Sequence, residues 1–249
     1  MRKPKQSLTK SDSNLEVKGT QKDLFNIQKI HLELKCKNES QKNFVSLINK
    51  NIITICAGPA GTGKTYIACA QALKMLKQDD KYKKIILVKS VTELEGESVG
   101  YLKGDLKEKM HNYMLSFLDN FYKLIGEEDT TKMQDLGLIE VLPLAYIRGR
   151  SIDDSIIIVD EAQNISLKNM RSTLTRIGDN SKMIITGDTK QIDLKNKRLS
   201  SLDIVVNIFD SKENIGTMFF QTKDIVRNPI VQMIEEEFDT YEEKQGTKN

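Results

Sequence analysis

The chain has 249 residues, a formal net charge of +3 and 39% apolar residues, which suits one large α/β domain, or one with tails, around a substantial core. No apolar run approaches membrane-spanning length, and the basic N-terminus lacks the apolar core of a secretory signal. The charge is too small to argue for nucleic acid by itself, there is no tryptophan, and Cys36, Cys56 and Cys69 lack metal or redox spacing, which fits a reducing cytosol.

Residues 1–22 are rich in Lys, Ser and Gln and read as a polar tail. A helix is expected over Gln41–Asn49, and the apolar run 52–57 reads as a strand. A second helix is expected over Lys64–Lys77. Between strand and helix lies Gly58-Pro59-Ala60-Gly61-Thr62-Gly63-Lys64-Thr65, which fits the phosphate-binding loop pattern at every fixed position. Strand, glycine loop and helix in that order give the pattern a mechanism. Backbone N–H groups of the loop point at phosphate oxygens, and the helix adds its positive N-terminal end. Lys64 would neutralise β- and γ-phosphate charge, and the Thr65 hydroxyl would ligate Mg²⁺.

Further strands are expected over Ile85–Lys89, Leu138–Leu142, Ile156–Asp160, Met183–Thr186 and Thr217–Phe220. Further helices are expected over Leu106–Leu124, Leu167–Ile177, Ser200–Phe209 and Ile225–Glu237, with a polar tail over 239–249. Strands separated by helices imply an α/β fold with a mostly parallel sheet covered on both faces. One domain, residues 23–238, holds all of it, and 90–135 is long enough to carry an elaboration beside the site.

The strand Ile156-Ile157-Ile158-Val159-Asp160 ends in adjacent acids, Asp160 and Glu161. Open α/β sheets place ligand chemistry at the carboxyl ends of their strands. Asp160 fits a second Mg²⁺ contact, direct or through water. Glu161 is suited to polarise an attacking water as general base. A helix N-cap is the alternative for such a pair, and the upstream phosphate loop favours the catalytic reading. Gln163 follows, an amide able to sense a γ-phosphate or couple it to a bound polymer. Lys195, Lys197 and Arg198 form a basic run that fits a solvated loop better than a polymer contact.

Thr186-Gly187-Asp188 with Gln191 resembles the third motif of superfamily 1 helicase-type ATPases, in which the glutamine contacts the γ-phosphate or the attacking water. Gln41, before Phe44-Val45, occupies the place of an adenine-reading glutamine, since an amide can both donate to and accept from the adenine edge. A surface helix glutamine is the alternative. Together with Ile147-Arg148-Gly149-Arg150, Asp160-Glu161-Ala162-Gln163-Asn164, Asp224-Ile225-Val226-Arg227-Asn228 and a middle motif over Gly96–Leu102 with Gly104-Asp105 and Lys109, these segments resemble the PhoH family of phosphate-starvation-inducible P-loop ATPases over residues 38–240. The chain departs from that family's usual pattern at Lys89-Ser90, at Leu102-Lys103-Gly104 and at Arg227-Asn228.

The resemblance implies a RecA-like P-loop NTPase using ATP and Mg²⁺ in the cytoplasm, the host's if the chain is phage-encoded. It implies a homo-oligomer, with a hexameric ring among the options, and activity linked to RNA or single-stranded nucleic acid, with no membrane partner. In such rings an arginine from a neighbouring subunit can stabilise the transferring phosphate. Arg227 and Arg148 are the candidates, against a salt bridge for the first and a solvated turn for the second. Two rivals remain: a small-molecule kinase, and a module in which ATP only stabilises an assembly.

Overall fold

The computed structural model describes residues 21–89, 106–147, 149–194, 196, 198 and 200–246. The expectations for residues 1–20, for Ser90, for the middle motif through Asp105, and for Arg148, Lys195 and Lys197 fall outside them. Six strands form one all-parallel sheet. They are β1 (Ile53–Ala57), β2 (Lys84–Lys89), β3 (Ile139–Pro143), β4 (Ser155–Asp160), β5 (Lys182–Gly187) and β6 (Ile215–Phe219), in the spatial order β3-β2-β4-β5-β1-β6. The helices are α1 (Gln21–Phe25), α2 (Glu39–Lys50), α3 (Lys64–Gln78), α4 (Leu106–Ile125), α5 (Glu127–Asp135), α6 (Leu167–Leu174), α7 (Leu202–Phe209) and α8 (Pro229–Gly246).

Period-two alternation sends the strand side chains to two separate cores. Ile85, Leu87, Ile156, Ile158 and Ile184 pack with Phe44, Ile48, Leu73, Phe117 and Phe121 from α2, α3 and α4. Ile86, Val88, Ile157, Val159 and Ile185 pack with Met170, Leu202, Val205 and Val206 from α6 and α7. Strands apolar on both faces are what a parallel sheet between two helical layers requires. The fold is thus the α/β, RecA-like P-loop class expected from the sequence.

The connections locate the crevice. From β1 the chain runs through α3 to β2, beyond β4, whereas from β5 it runs through α7 to β6, on the far side of β1. Neighbouring strands β1 and β5 therefore send their crossovers in opposite directions, the switch point at which open α/β sheets bind ligands.

Three elements differ from expectation. The acidic first turn of α5, Glu127, Glu128 and Asp129, complements the helix dipole, and burial of Thr130 and Met133 holds a segment with little apolar periodicity. Helix α1 brings Lys22, assigned to the tail, into contact with the Asp79 carbonyl at 3.0 Å. The last helix starts at Pro229 rather than Ile225 and runs to Gly246. Proline suits the first helical position and disfavours helical backbone before it, so Ile225–Asn228 stay out of the helix.

Candidate active site

The chain turns as soon as β1 ends. Gly58 has φ 146°, and a Cβ there would meet Cβ and O of Phe220 at 2.6 Å. Gly61 has φ 84° and lies beneath the Arg227 side chain, whose Cδ is 3.1 Å from where a Cβ would sit. Both positions need glycine. The Lys64 ammonium folds onto the loop, donating to the carbonyls of Gly58 and Pro59 at 2.7 Å each. Burial pushes its pKa down, while Asp188, Asp160 and Glu161 oppose that shift.

Strand β4 delivers the acids. Both Asp160 carboxylate oxygens accept from the Thr65 hydroxyl at 3.1 Å, and Oδ1 also accepts from Thr186 at 2.6 Å. Thr65 and Asp160 thus form an all-oxygen pair of the kind that hard divalent cations favour. Among the described residues no group of three or more His, Cys, Asp or Glu could hold a metal. Glu161 takes a left-handed φ of 53°, which turns the chain away from the strand into a 3₁₀ turn over Ala162–Asn164. Burial raises its pKa, and the Asp160 charge adds to the rise.

Gln163 is fully buried. Its amide donates to Glu161 Oε2 at 2.7 Å and to the Gln191 carbonyl at 3.0 Å, and it accepts from the Asp188 N–H at 2.9 Å. The sequence marked Gln163 as a nucleotide contact; the structure places it behind Glu161, away from the cavity lining. Asn164 and Asp193 exchange a reciprocal pair of bonds at 2.8 Å each, which fixes the turn carrying Gln191. Gln41 also uses both ends of its amide inside the protein, donating to the Thr62 carbonyl at 2.9 Å and accepting from the Lys37 N–H at 2.6 Å. It is 4% exposed, which removes the surface-glutamine alternative.

Arg227 lies ahead of α8 and not on it. Asp224 anchors the approach, accepting from the Ser40 hydroxyl and the Gln221 N–H at 2.8 Å each. Val226 N–H then donates to the Gly61 carbonyl at 3.0 Å. These ties put Arg227 over this chain's own phosphate loop, so its placement is in cis.

A cavity of about 430 Å³ joins these parts, within the range of small-ligand sites. Lys64, Thr65, Asp160, Glu161, Gln191, Arg227 and Gln41 all line it. So do Asp188, which the sequence reading placed in a motif without a role of its own, and residues that reading missed: Asn120 and Lys123 of α4, and Leu34, Lys35 and Lys37. Asp188 is 7% exposed and accepts from the Ala60 N–H at 2.9 Å. Its place after a buried strand in a Gly-Asp turn was a usable signal. Nothing in the sequence marks Asn120 or Lys123, because their approach depends on how α4 packs.

A family model described as PhoH-like protein matches residues 33–239. A PhoH-like protein of Bacillus subtilis is 41% identical over 206 residues, 83% of this chain and 64% of that protein. The protein PhoH of Escherichia coli K12 is 32% identical over 198 residues, 79% of this chain and 55% of that protein. The chain therefore spans somewhat over half the length of these relatives. Among solved structures, the UvsW helicase of bacteriophage T4 aligns over 81% of this chain and 67% of that chain, at 15% identity and a TM-score of 0.44. At that score the likeness is loose. The match across nearly all the described residues, carrying the loop and the paired acids with it, makes this chain a member of the PhoH family.

Proposed function

We propose that the chain binds ATP with Mg²⁺, hydrolyses it, and couples the hydrolysis to RNA or single-stranded nucleic acid as a homo-oligomer. The observation that carries this reading is the convergence of a phosphate loop, the Thr65–Asp160 pair and a half-buried glutamate on one cavity. Lys64 exchanges its loop carbonyls for phosphate oxygens, which strengthens a contact that burial makes electrostatically costly when unpaired. Thr65 and Asp160 would hold Mg²⁺, which would supply charge neutralisation on the phosphates. Glu161, with its raised proton affinity, accepts a proton from the attacking water, and the Gln163 amide holds it in position. Gln191 and Arg227 contact the γ-phosphate from the remaining sides, Arg227 from the same chain. Gln41 reads the adenine edge after giving up one of its internal bonds. Arg148 stays a candidate for completing a neighbour's site.

A small-molecule kinase would use the same loop but does not need the water-activating glutamate. A phosphorylated metabolite as product would replace the hydrolase reading. The test of coupling is steady-state ATP turnover by the purified chain with and without RNA or single-stranded DNA. Severalfold stimulation is expected, and turnover indifferent to every strand tested would remove the nucleic-acid part. Lys64→Ala should abolish tight ATP binding while leaving the unfolding transition cooperative, and unchanged affinity would contradict the assignment.

A further inference from the structure

On the other side of the phosphate loop lies a second groove of about 380 Å³, lined by Gly58, Pro59, Asp188, Thr189, Lys190, Phe219, Phe220, Gln221, Thr222 and Lys223. It sits at the carboxyl ends of β1, β5 and β6, the ligand-bearing edge of the sheet. Successive aromatics at the end of β6 point to opposite faces. Phe220 is 3% exposed and packs edge-on against Phe44, ring centroids 5.9 Å apart. Phe219 is 46% exposed at the groove. The sheet needs Phe220 for its core, but Phe219 contributes an apolar ring to solvent beside the exposed lysines Lys190 and Lys223.

We infer that this groove binds single-stranded nucleic acid, with one base stacked on Phe219 and the flanking backbone phosphates held by Lys223 and Lys190. An exposed aromatic face between cations is the recognition chemistry of unpaired strands, whose bases are open to stacking. The polar groups of Thr189, Gln221 and Thr222 suit sugar and phosphate, not an apolar peptide. The inference rests on the ATPase reading above and supplies its polymer contact. It also gives that contact a route to the nucleotide. Gly58 and Pro59 wall the groove, and Asp188 lines both cavities while accepting from the Ala60 N–H in the phosphate loop. A strand in the groove touches the same three residues that shape the loop.

The experiment measures binding of a fluorescein-labelled oligouridylate and the matching oligothymidylate to the full chain by anisotropy, across a salt series. Phe219→Ala should weaken binding about tenfold with an unchanged salt slope. Phe219→Trp should restore it, which separates stacking from a fold defect. Lys223→Gln should weaken binding and reduce the slope of log K against log salt by about 0.7, one phosphate contact to a single strand. ATP affinity and unstimulated turnover should stay at the wild-type level in all three. Wild-type binding matched by Phe219→Ala and Lys223→Gln would overturn the groove alone. Failure of the wild type to bind either oligonucleotide, with ATP present or absent, would overturn the groove and the nucleic-acid coupling together.

Discussion

Glu161 stands between the Asp160 carboxylate and the Gln163 amide, buried enough that its proton affinity rises. The folded chain therefore holds that proton more tightly than the unfolded chain, whose reference value is 4.5. The resulting penalty is absent below that value and fully present above the raised one, so at neutral pH the ionised glutamate destabilises the fold. Glu161→Gln should raise the melting temperature by a few degrees, since the amide can still accept from Gln163, while hydrolysis falls by about 100-fold or more. Calorimetry beside a phosphate-release assay checks both, and a lowered melting temperature would contradict burial as the cause. Gly58→Ala should act oppositely, because its Cβ meets Phe220 backbone and side chain at 2.6 Å. A loss of about 3 kcal/mol or more is expected from such a clash with positive φ, read by denaturant unfolding. The loop and the paired acids were legible because their spacing along the chain is fixed by their chemistry. Asp188 as a loop contact was not, because its partner Ala60 is 128 positions away.

Among the elements, all six strands and the helices around the site were legible as apolar runs bounded by turns, with ends shifted by a few residues. Helix α5 was not, because acidic first-turn residues and two buried side chains, rather than periodicity, hold it. The start of α8 was readable from Pro229 and was missed. Lys182 shows how elements are tied together. At the head of β5 its ammonium donates to the carbonyls of Ile48, Asn49 and Asn51, where α2 ends. Burial, aided by Lys81, pushes its pKa down to about 8 from 10.5. Between those values the unfolded chain binds a proton that the folded chain does not, so this group makes stability rise with pH across that window. Unfolding free energies from pH 8 to 10 should show that rise, and Lys182→Gln should flatten it. An identical slope in the variant would assign the dependence to other groups.

For the whole molecule, the parallel sheet with helices on both faces followed from strands apolar on both faces, but the strand order did not. That order depends on pairings such as Thr54 with Ile184 and Ile86 with Ile157, which local pattern does not encode. It is the order that brings the loop after β1 and the acids after β4 to one cavity, with β5 and its Asp188 between them. Self-association belongs to this scale too. Helix α8 exposes Ile230, Met233, Ile234, Phe238 and Tyr241, each at 44–63%, at helical spacing, directly after Arg227. Ile234→Asp with Phe238→Asp should shift the mass in light scattering toward the monomer, and an unchanged mass would place the contact elsewhere. The most direct test of the central claim is multiple-turnover phosphate release from ATP with Mg²⁺, comparing the wild type with Glu161→Gln at saturating nucleotide. The account predicts turnover in the wild type and almost none in the variant, with ATP bound equally by both. Equal release from the two proteins would contradict it.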